Sequence, residues 1–517
     1  MTLKPLPIGI QTFRDLIQGG YLYVDKTRWI YNLVRYPKGV YFLSRPRRFG
    51  KSLLISTLDE IFQGNRELFK GLWLYDSPYQ WQTHPVIRVD FSLKQVGSAA
   101  DLKQTISWYL EQQAQRYQLT LAGADYIQQF ANLIQQLSAQ GQVVILVDEY
   151  DKPLLDNIED IEEARRIRDV LKGFYIVIKA LDAHVRFVLL TGVSKFSRVG
   201  VFSGLNNLND ITIDSQYAAL LGITQEEVDA CFADYLEEFA VESGLPVVEL
   251  RAKIRFWYNG FCFSRRCVSV YNPFSLLLLL QKREFQNYWF ESGTPTFLLK
   301  LLKQQDYNLP ILEKLEASEL AFSAYEIDTL DVIPLLFQTG YLTIKSYSER
   351  FETYILSYPN YEVRRAFLFY LLSSYSSVKL SMAGSVLKQL ERALLEADWP
   401  RFFDVLNSLL ASISYELHIK QEKYYQTIFY LIFKLIGLEI QAEARTNQGR
   451  IDAVIETGEA VYLFEFKLSG SAAEALAQIE TRAYFTPYLS KGKPVHLLGV
   501  NFEMESRSVA EWQAARR

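Results

Sequence analysis

The segment 40–52, V-Y-F-L-S-R-P-R-R-F-G-K-S, constrains the fold of this chain more than any other. Its apolar start predicts a buried strand, and the apolar spacing after Ser52 predicts a helix. A strand, a loop and a helix in this order surround a phosphate group with backbone N–H groups at the positive end of the helix. Gly50 allows a close approach to phosphate, Lys51 can reach the β- and γ-phosphates, and the Ser52 hydroxyl can ligate Mg²⁺. The segment therefore predicts a phosphate-binding loop.

The match to the pattern G-x-x-x-x-G-K-[ST] is incomplete, because Arg45 stands where the first glycine is expected. The entrance to the loop must turn differently or be held by Pro46. Arg45, Arg47 and Arg48 could form a solvated surface. Beside a phosphate loop they are better interpreted as additional anion contacts.

A second apolar run, residues 143–147, ends in Asp148 and Glu149. Such a run predicts a central parallel strand that is buried on both faces and has a ligand site at its carboxyl end. We expect Asp148 to hold Mg²⁺ through water and Glu149 to polarise the attacking water, as phosphoryl transfer requires. A core strand followed by a polar loop is the alternative. The phosphate loop upstream favours the catalytic interpretation.

A third strand is predicted at residues 187–190, followed by Thr191 and a loop rich in Gly, Ser and Asn. A polar loop at the carboxyl end of a central strand is where a γ-phosphate sensor would lie. Thr191, Lys195 and Arg198 are the candidate sensors, and a purely structural loop is the alternative.

Strands and helices alternate through the first part of the chain. Residues 86–91 predict another strand, followed by a long helical stretch through Gln136. Strands separated by helices imply βαβ units and a parallel sheet. Before the phosphate loop, segment 25–27 (Asp25, Lys26 and Thr27) is a candidate neighbour of adenine or an N-cap for the next helix.

Composition sets broad limits. The 517 residues should form two to four domains. The hydrophobic content of 49% and the charged content of 22% are typical of a soluble globular protein. The longest apolar run, 276–280, is too short to cross a bilayer, and the N-terminus has no charged-then-apolar leader. Three cysteines without metal-ligand spacing fit a reducing compartment. We expect a cytoplasmic protein with no membrane partner.

The formal charge of −4 is nearly balanced, with 55 basic and 59 acidic residues spread along the chain. There is no long basic tail. Contact with nucleic acid must therefore come from a local patch, and strong salt-insensitive binding is not expected.

The segment 450–467, R-I-D-A-V-I-E-T-G-E-A-V-Y-L-F-E-F-K, predicts a β-hairpin. Gly458 followed by Glu459 suits a two-residue type II′ turn, which requires glycine first. Counting outward from the turn places Asp452 directly opposite Glu465, and alternation places Lys467 on the same face. Two carboxylates about 5 Å apart repel each other unless a cation lies between them. The hairpin therefore predicts a metal site.

Asp452, Glu465 and Lys467 would suffice for metal-assisted phosphodiester hydrolysis. The acids would hold Mg²⁺, and Lys467 would orient the attacking water or stabilise developing charge. The alternative is a simple salt bridge in which Lys467 neutralises Glu465. Three further residues could supplement the site or form structural salt bridges: Glu422, Glu443 and Gln478.

With these residues in view, the chain resembles the prokaryotic AAA-ATPase-like proteins that carry a C-terminal PD-(D/E)XK nuclease-superfamily domain. The resemblance covers nearly the whole chain. It is carried by the motifs V-D-K-T, R-P-R-R-F-G-K-S, V-D-E-Y-D, T-G-V-S-K-F-S, F-S-G-L-N-N-L, Y-N-P-F-S, Q-T-G-Y-L-T-I, G-R-I-D and F-E-F-K. The family has arginine at the position of Arg45. Tyr425 departs from the family pattern, which has histidine after tyrosine.

The resemblance implies an α/β fold: a P-loop NTPase parallel sheet, a helical lid and a winged-helix-like connector, then a small α/β nuclease-like domain. The corresponding ranges are 1–220 for the ATPase core, 221–320 for the lid, 321–380 for the connector and 381–517 for the nuclease-like domain. The residues that resemble the ATPase and nuclease sites are Lys51, Ser52, Asp148 and Glu149, and Asp452, Glu465 and Lys467.

The function expected from these observations is ATP binding and hydrolysis coupled to Mg²⁺-dependent cleavage of nucleic acid, with DNA as the expected substrate and a homo-oligomer as a further expectation. The nucleotide-site residues are expected to be Arg45, Arg48, Gly50, Lys51, Ser52, Asp148 and Thr191. The alternative is an ATP-dependent regulatory switch whose C-terminal domain binds nucleic acid or a protein partner without cleaving.

Overall fold

The computed structural model of the protein describes most of the chain. The described residues are 3–195, 202, 205, 207–289, 296–305, 307–322, 331–376, 379–411, 422–439, 443–446, 452–467, 470–503 and 505–517.

The chain divides into two compact units. The first consists of Met1–Thr294 and Leu312–Val363, and the second of Pro295–Ile311 and Arg364–Arg517. The finer division into core, lid, connector and nuclease-like domain stays a prediction.

The secondary structure follows the alternation expected from the sequence. The strands are β1 (Gly39–Ser44), β2 (Val86–Asp90), β3 (Val143–Asp148), β4 (Val185–Gly192), β5 (Asn209–Asp210), β6 (Phe261–Cys262), β7 (Ser269–Val270), β8 (Leu315–Ser318), β9 (Thr343–Ser348), β10 (Thr353–Ser357), β11 (Glu443–Thr446), β12 (Asp452–Glu456), β13 (Val461–Lys467), β14 (Val495–Glu503) and β15 (Ser508–Arg516). The helices are α1 (Phe13–Gln18), α2 (Thr27–Val34), α3 (Lys51–Phe62), α4 (Ala99–Arg116), α5 (Tyr126–Leu137), α6 (Lys152–Leu155), α7 (Ile161–Ala180), α8 (Gln225–Cys231), α9 (Ala233–Ser243), α10 (Val247–Tyr258), α11 (Pro273–Lys282), α12 (Thr296–Gln304), α13 (Val332–Gln338), α14 (Tyr361–Ser376), α15 (Leu380–Leu395), α16 (Trp399–Ala411), α17 (Glu422–Glu439), α18 (Ala472–Thr481) and α19 (Thr486–Leu489).

The first unit is built around a five-stranded sheet with the order β2-β3-β4-β1-β5. All of its strand pairs are parallel. All six residues of β3 are buried, which agrees with its continuous apolar sequence. The predicted parallel sheet is confirmed, and the carboxyl ends of β1, β3 and β4 meet at one edge.

The long helical stretch predicted after β2 is two helices, α4 and α5. The break is explained by Asp125, whose side chain accepts a hydrogen bond from the Gln128 backbone N–H and caps a new helix. Gln118, just after α4, has a φ of 57°, which also ends the first helix.

Downstream elements of the first unit match the helical and hairpin regions expected from the sequence. Helices α8 to α11 share an apolar core that contains Leu236, Leu250 and Leu276. After α13, strands β9 and β10 form an antiparallel hairpin, and β8 pairs with the other side of β10. The assignment of this region as a winged-helix-like connector stays a prediction.

The second unit contains a five-stranded sheet with the order β11-β12-β13-β14-β15. Only β13 and β14 run parallel within it. On one face, Phe433 of α17 packs on Phe464 with a centroid distance of 4.8 Å. On the other face, Ile479 of α18 packs with Val461 and Leu463. The second unit is therefore a small α/β domain with one helical layer on each face of the sheet.

No helix in the described part of the chain is long and apolar enough to cross a membrane.

Candidate nucleotide and metal sites

The phosphate loop joins β1 to α3 at the edge where the parallel strands end. Gly50 precedes the helix with a φ of 92°, a left-handed conformation that glycine adopts without strain. Lys51 and Ser52 are the first residues of the helix, so the loop's last N–H groups lie at its positive end. The predicted strand, loop and helix are confirmed.

Arg45 holds the entrance of this loop. Its side chain is 1% exposed, and Nη1 donates to the carbonyl oxygens of Ser44 (2.9 Å) and Thr212 (2.6 Å). The guanidinium lies 4.3 Å from the ring centroid of Phe263, and burial lowers the pKa of Arg45 to about 9. Nη1 is thus directed to backbone carbonyls, whereas Nε is buried without a hydrogen-bond partner among the described residues, and the predicted contact of Arg45 with nucleotide stays a prediction. This bonding explains how the loop turns without its first glycine.

Arg48 differs from Arg45 in being exposed, with its guanidinium 4.6 Å from the ring centroid of Phe274. Its φ is 66°, so the loop turns sharply at this residue. Its predicted contact with nucleotide stays a prediction.

Lys51 is a buried cation that bonds to its own loop. Its Nζ donates to the carbonyl oxygens of Arg45 (3.0 Å) and Pro46 (3.2 Å). Burial lowers the pKa of Lys51, and the nearby Glu149 and Asp148 oppose that shift. The structure thus brings the predicted lysine and the two predicted acids into one electrostatic cluster.

Asp148 has one satisfied oxygen and one that accepts no hydrogen bond within the described residues. Oδ1 accepts from Thr191 Oγ1 (2.6 Å) and from the Glu149 backbone N–H (3.1 Å), whereas Oδ2 is buried without a donor. A buried carboxylate oxygen without a donor is costly unless a cation or its water ligand occupies that position. The Thr191 hydroxyl thus orients Asp148, and its predicted role as a phosphate sensor stays a prediction.

Glu149 has a φ of 48°, an uncommon conformation for a residue with a side chain. Such strain persists only where the surrounding structure imposes it, and it is concentrated at functional sites. Burial raises the pKa of Glu149, and Lys51 opposes that shift. The residue thus leaves β3 in a conformation that differs from its strand neighbours.

Asp151 is a site residue that sequence reasoning missed. It is 1% exposed, and its Oδ2 accepts from the backbone N–H groups of Val193 (3.1 Å) and Ser194 (2.6 Å). A Cβ atom on Gly192 would lie 2.5 Å from Asp151 Oδ1, so glycine is required for this approach. Asp151 therefore fixes the loop that follows β4. The available signal was a third acid only three residues after Asp148.

The other candidate sensors are placed differently. Lys195 Nζ forms an ion pair with Asp210 Oδ2 at 2.5 Å, and the Lys195 backbone N–H donates to Gln338. Lys195 is thus a structural group. Arg198 lies outside the described residues.

A cavity of about 110 Å³ opens beside Gly50. Its lining is mainly apolar and includes Leu22, Val24, Lys26 and Leu221. Lys26 Nζ donates to Glu227 Oε2 at 2.6 Å. Lys26 therefore borders the cavity, as the adenine hypothesis requires.

Segment 25–27 also begins α2, which was the alternative interpretation. Asp25 Oδ1 accepts hydrogen bonds from the Thr27 backbone N–H (2.8 Å) and hydroxyl (2.6 Å). Asp25 and Thr27 are therefore structural, and Lys26 is the member of the segment that borders the cavity.

The C-terminal hairpin has the predicted register. Asp452 pairs with Glu465, and Glu456 pairs with Val461. The Thr457 backbone N–H donates to the Ala460 carbonyl oxygen at 2.9 Å, so Gly458 and Glu459 are the two residues of the turn. The type II′ assignment is wrong, because Gly458 does not adopt a left-handed φ. The Thr457 hydroxyl instead accepts from the backbone N–H groups of Glu459 (3.2 Å) and Ala460 (2.8 Å). A turn that is held by side-chain hydrogen bonds of this kind does not require a glycine with a positive φ.

Glu465, Lys467 and Gln478 form a connected polar group on the face covered by α18. Glu465 is 2% exposed, and its Oε1 accepts from Gln478 Nε2. Lys467 Nζ donates to Gln478 Oε1 and lies 4.0 Å from Glu465 Oε1. The structure thus places Gln478, a supplementary candidate, directly between the predicted acid and lysine.

The side chains of the remaining supplementary candidates, Glu422 and Glu443, lie outside the described residues. Glu443 pairs with Glu456, four residues along β12 from Asp452, which is a separation of about 13 Å. Its predicted contribution to the site stays a prediction. The side chain of Asp452 also lies outside the described residues. No group of three or more His, Cys, Asp and Glu side chains that could hold a metal ion occurs among those described.

Gly499 pairs with Glu465 in the register of β13 and β14. Its lack of a side chain lets α18 approach the sheet closely at this point. An added Cβ would lie 2.3 Å from the Ala472 carbonyl oxygen. We expect Gly499→Ala to lower the free energy of unfolding by about 1–3 kcal/mol, since α18 must shift. Gly458→Ala is the matched control, because no atom lies within 4 Å of the added Cβ. Urea unfolding measures both, and equal stability of the two variants would contradict this packing.

The segments that contain these two candidate sites match known protein families. The sequence model of a family described as Predicted AAA-ATPase matches residues 7–202, and that of the PD-(D/E)XK nuclease superfamily matches residues 420–512. A protein of Azotobacter chroococcum mcd 1, named "Uncharacterized protein in vnfD 5'region", is 44% identical over 526 residues, which cover 98% of this chain and 98% of the relative. The chain belongs to the family of prokaryotic AAA-ATPase-like proteins with a C-terminal PD-(D/E)XK nuclease-superfamily domain.

Proposed function

We propose that the chain binds and hydrolyses ATP at the phosphate loop and cleaves phosphodiester bonds of nucleic acid, with DNA as the substrate, at the C-terminal hairpin. The two matching families support an ATPase and a nuclease type of activity. The observation that carries the cleavage half is the register that sets Asp452 opposite Glu465.

In the ATPase half, Lys51 would leave its loop carbonyls to neutralise the β- and γ-phosphates, and Ser52 and Asp148 would hold Mg²⁺. A metal held by these two residues would supply positive charge that neutralises the charge developing on the phosphates. The donor-free oxygen of Asp148 fits this role. Glu149 would orient and polarise the attacking water, and Thr191 keeps Asp148 in position.

In the nuclease half, Asp452 and Glu465 would hold a divalent cation such as Mg²⁺. The bound metal would stabilise phosphate charge and lower the pKa of a water ligand. Lys467 would orient that water or stabilise the developing negative charge. Gln478 positions both Glu465 and Lys467 through its amide.

The regulatory switch is retained as a second candidate because of one observation. Lys467 Nζ lies 4.0 Å from Glu465 Oε1, and both groups are bonded to Gln478. A closed polar group of this kind could serve only to stabilise the domain, which would then bind nucleic acid or a protein without cleaving it.

The two candidates are distinguished by incubating the purified full chain with single-stranded, double-stranded and branched DNA and RNA. Each substrate is tested with Mg²⁺, Mn²⁺ or chelator, and with and without ATP. The proposal expects metal-dependent cleavage, whereas binding without cleavage under every condition would favour the regulator. The proposed homo-oligomer is tested by light scattering of the same protein with and without ATP.

A further inference from the structure

Residues far downstream in the sequence hold the phosphate loop in place. The indole Nε1 of Trp289 donates to the carbonyl oxygen of Arg47 at 3.2 Å. Gly340 packs against the same loop, since an added Cβ there would lie 2.9 Å from Pro46 and 3.2 Å from the Trp289 ring. Asn272 Nδ2 also donates to the Arg47 carbonyl oxygen, at 3.5 Å, so Trp289 provides the shorter of the two side-chain hydrogen bonds to this part of the loop.

The backbone of Trp289 is held in turn by Glu362, in the first turn of α14. Glu362 is 0% exposed. Its Oε1 accepts from the backbone N–H groups of Tyr288 (2.7 Å) and Trp289 (2.9 Å) and from Ser275 Oγ (3.2 Å). Its Oε2 is buried and forms no hydrogen bond within the described part of the chain. Glu362 Oε1 thus accepts three hydrogen bonds, of which two come from the Tyr288–Trp289 backbone.

Burial and hydrogen bonding act in opposite directions on the pKa of this carboxylate. Burial raises the pKa of Glu362 to about 7, and hydrogen bonds from Trp289, Ser275 and Tyr288 oppose the shift. Among the described residues, the Tyr258 phenol on α10 faces this carboxylate, and burial raises the pKa of that phenol well above its usual range, so it stays neutral. Arg364 and Arg365 follow on the same helix.

We propose that Glu362 is a positioning residue of the nucleotide site. Its carboxylate fixes the Tyr288–Trp289 backbone, so that the Trp289 indole fixes the Arg47 carbonyl and the phosphate loop is held ready for nucleotide. Ionisation of Glu362 strengthens this hold. The inference rests on the proposed ATPase function and adds a regulated element to that site.

Ionisation strengthens the hold because hydrogen bonds to a charged acceptor are about twice as strong as neutral ones. Glu362 is mainly neutral at pH 6 and mainly ionised at pH 8. We therefore expect the protein to bind ATP more tightly at pH 8 than at pH 6. The increase in affinity should exceed the increase caused by titration of ATP itself. The variant Glu362→Gln keeps the shape and the accepting oxygen but cannot ionise.

The experiment is a calorimetric titration of the full chain with ATP and Mg²⁺ at pH 6 and pH 8. Titration of ATP itself affects all chains equally and cancels in the ratio of dissociation constants. For Glu362→Gln relative to the parent we expect a ratio near 1 at pH 6 and about 5 at pH 8, the effect of roughly one hydrogen bond. The kcat at saturating ATP should change by less than about twofold, because Glu362 touches no reacting atom.

Trp289→Phe tests the hydrogen bond between Trp289 and the phosphate loop, because phenylalanine keeps an aromatic ring but has no indole N–H. We expect about fivefold weaker binding at pH 8, and no further loss when it is combined with Glu362→Gln. Trp81→Phe is the matched control. The Trp81 indole N–H is also buried but has no hydrogen-bond partner in the described residues, so its removal should leave ATP binding unchanged.

The outcomes separate this inference from the proposed function. ATP binding by the parent with an unchanged pH dependence in Glu362→Gln, or with full affinity in Trp289→Phe, would overturn the role of Glu362 alone. If Glu362→Gln does not fold, the Trp289→Phe result decides the matter. A parent chain that binds no ATP would overturn the ATPase function and this inference together.

Discussion

Lys51→Ala is expected to reduce ATP hydrolysis by about 100-fold or more, since it removes the cation that balances phosphate charge in the transition state. Lys51 is buried beside Asp148 and Glu149, so its loss also leaves two acids without their nearest cation. Steady-state hydrolysis of ATP with Mg²⁺ measures the effect. Lys38→Ala is the control, because Lys38 is an exposed lysine just before β1 that pairs with Asp182.

The companion variant Glu149→Gln should separate binding from turnover. ATP should still bind, because Lys51 and the loop are intact, while kcat should fall by about 10²–10⁴-fold with the loss of the general base. Hydrolysis by Lys51→Ala at the parental rate would show that the phosphate loop has been assigned wrongly.

Asp452→Ala and Lys467→Ala are each expected to eliminate metal-dependent cleavage of nucleic acid and to leave ATP hydrolysis largely intact. The acid would position the cation and the lysine would support the attacking water, and neither residue lies in a nucleotide-binding segment. End-labelled DNA assayed beside ATP turnover measures both activities. Lys491→Ala is the control, because Lys491 pairs with Glu456 at 2.6 Å in the same domain.

Both variants should remain folded. Asp452 lies directly opposite Glu465, and like charges in such pairs are destabilising. Asp452→Ala should therefore leave the free energy of unfolding without metal unchanged or raise it by about 0.5 kcal/mol. Cleavage at the parental rate in both variants, or unfolding of Asp452→Ala, would favour the regulator.

Local patterns predicted the elements that carry chemistry. The apolar run of β3 predicted a buried strand ending in Asp148, and hairpin counting predicted the register of Asp452 and Glu465. Both predictions follow from the spacing of apolar residues and the length of the turn, and a single segment of sequence contains this information. The turn type was wrong because the Thr457 side chain, rather than Gly458, satisfies the turn's N–H groups.

Contacts between distant segments were not predictable in this way. A local pattern cannot show that Thr212 and Phe263 would enclose the Arg45 side chain. Asp151 was missed for the same reason, since its partner Ser194 belongs to another loop. Sequence periodicity specifies faces and registers, whereas these roles depend on tertiary packing.

The proposed nuclease activity rests on the claim that the paired acids of the hairpin, Asp452 and Glu465, hold a divalent cation. We test it by titrating the full chain with Mn²⁺ and following the binding by electron paramagnetic resonance without nucleotide. The parent should bind Mn²⁺, and Glu465→Gln should weaken that binding by at least about tenfold, since a ligand carboxylate is lost. Glu456→Gln, on the same hairpin but paired with Lys491, should bind Mn²⁺ as the parent does. Equal Mn²⁺ binding by the parent and Glu465→Gln would contradict the claim.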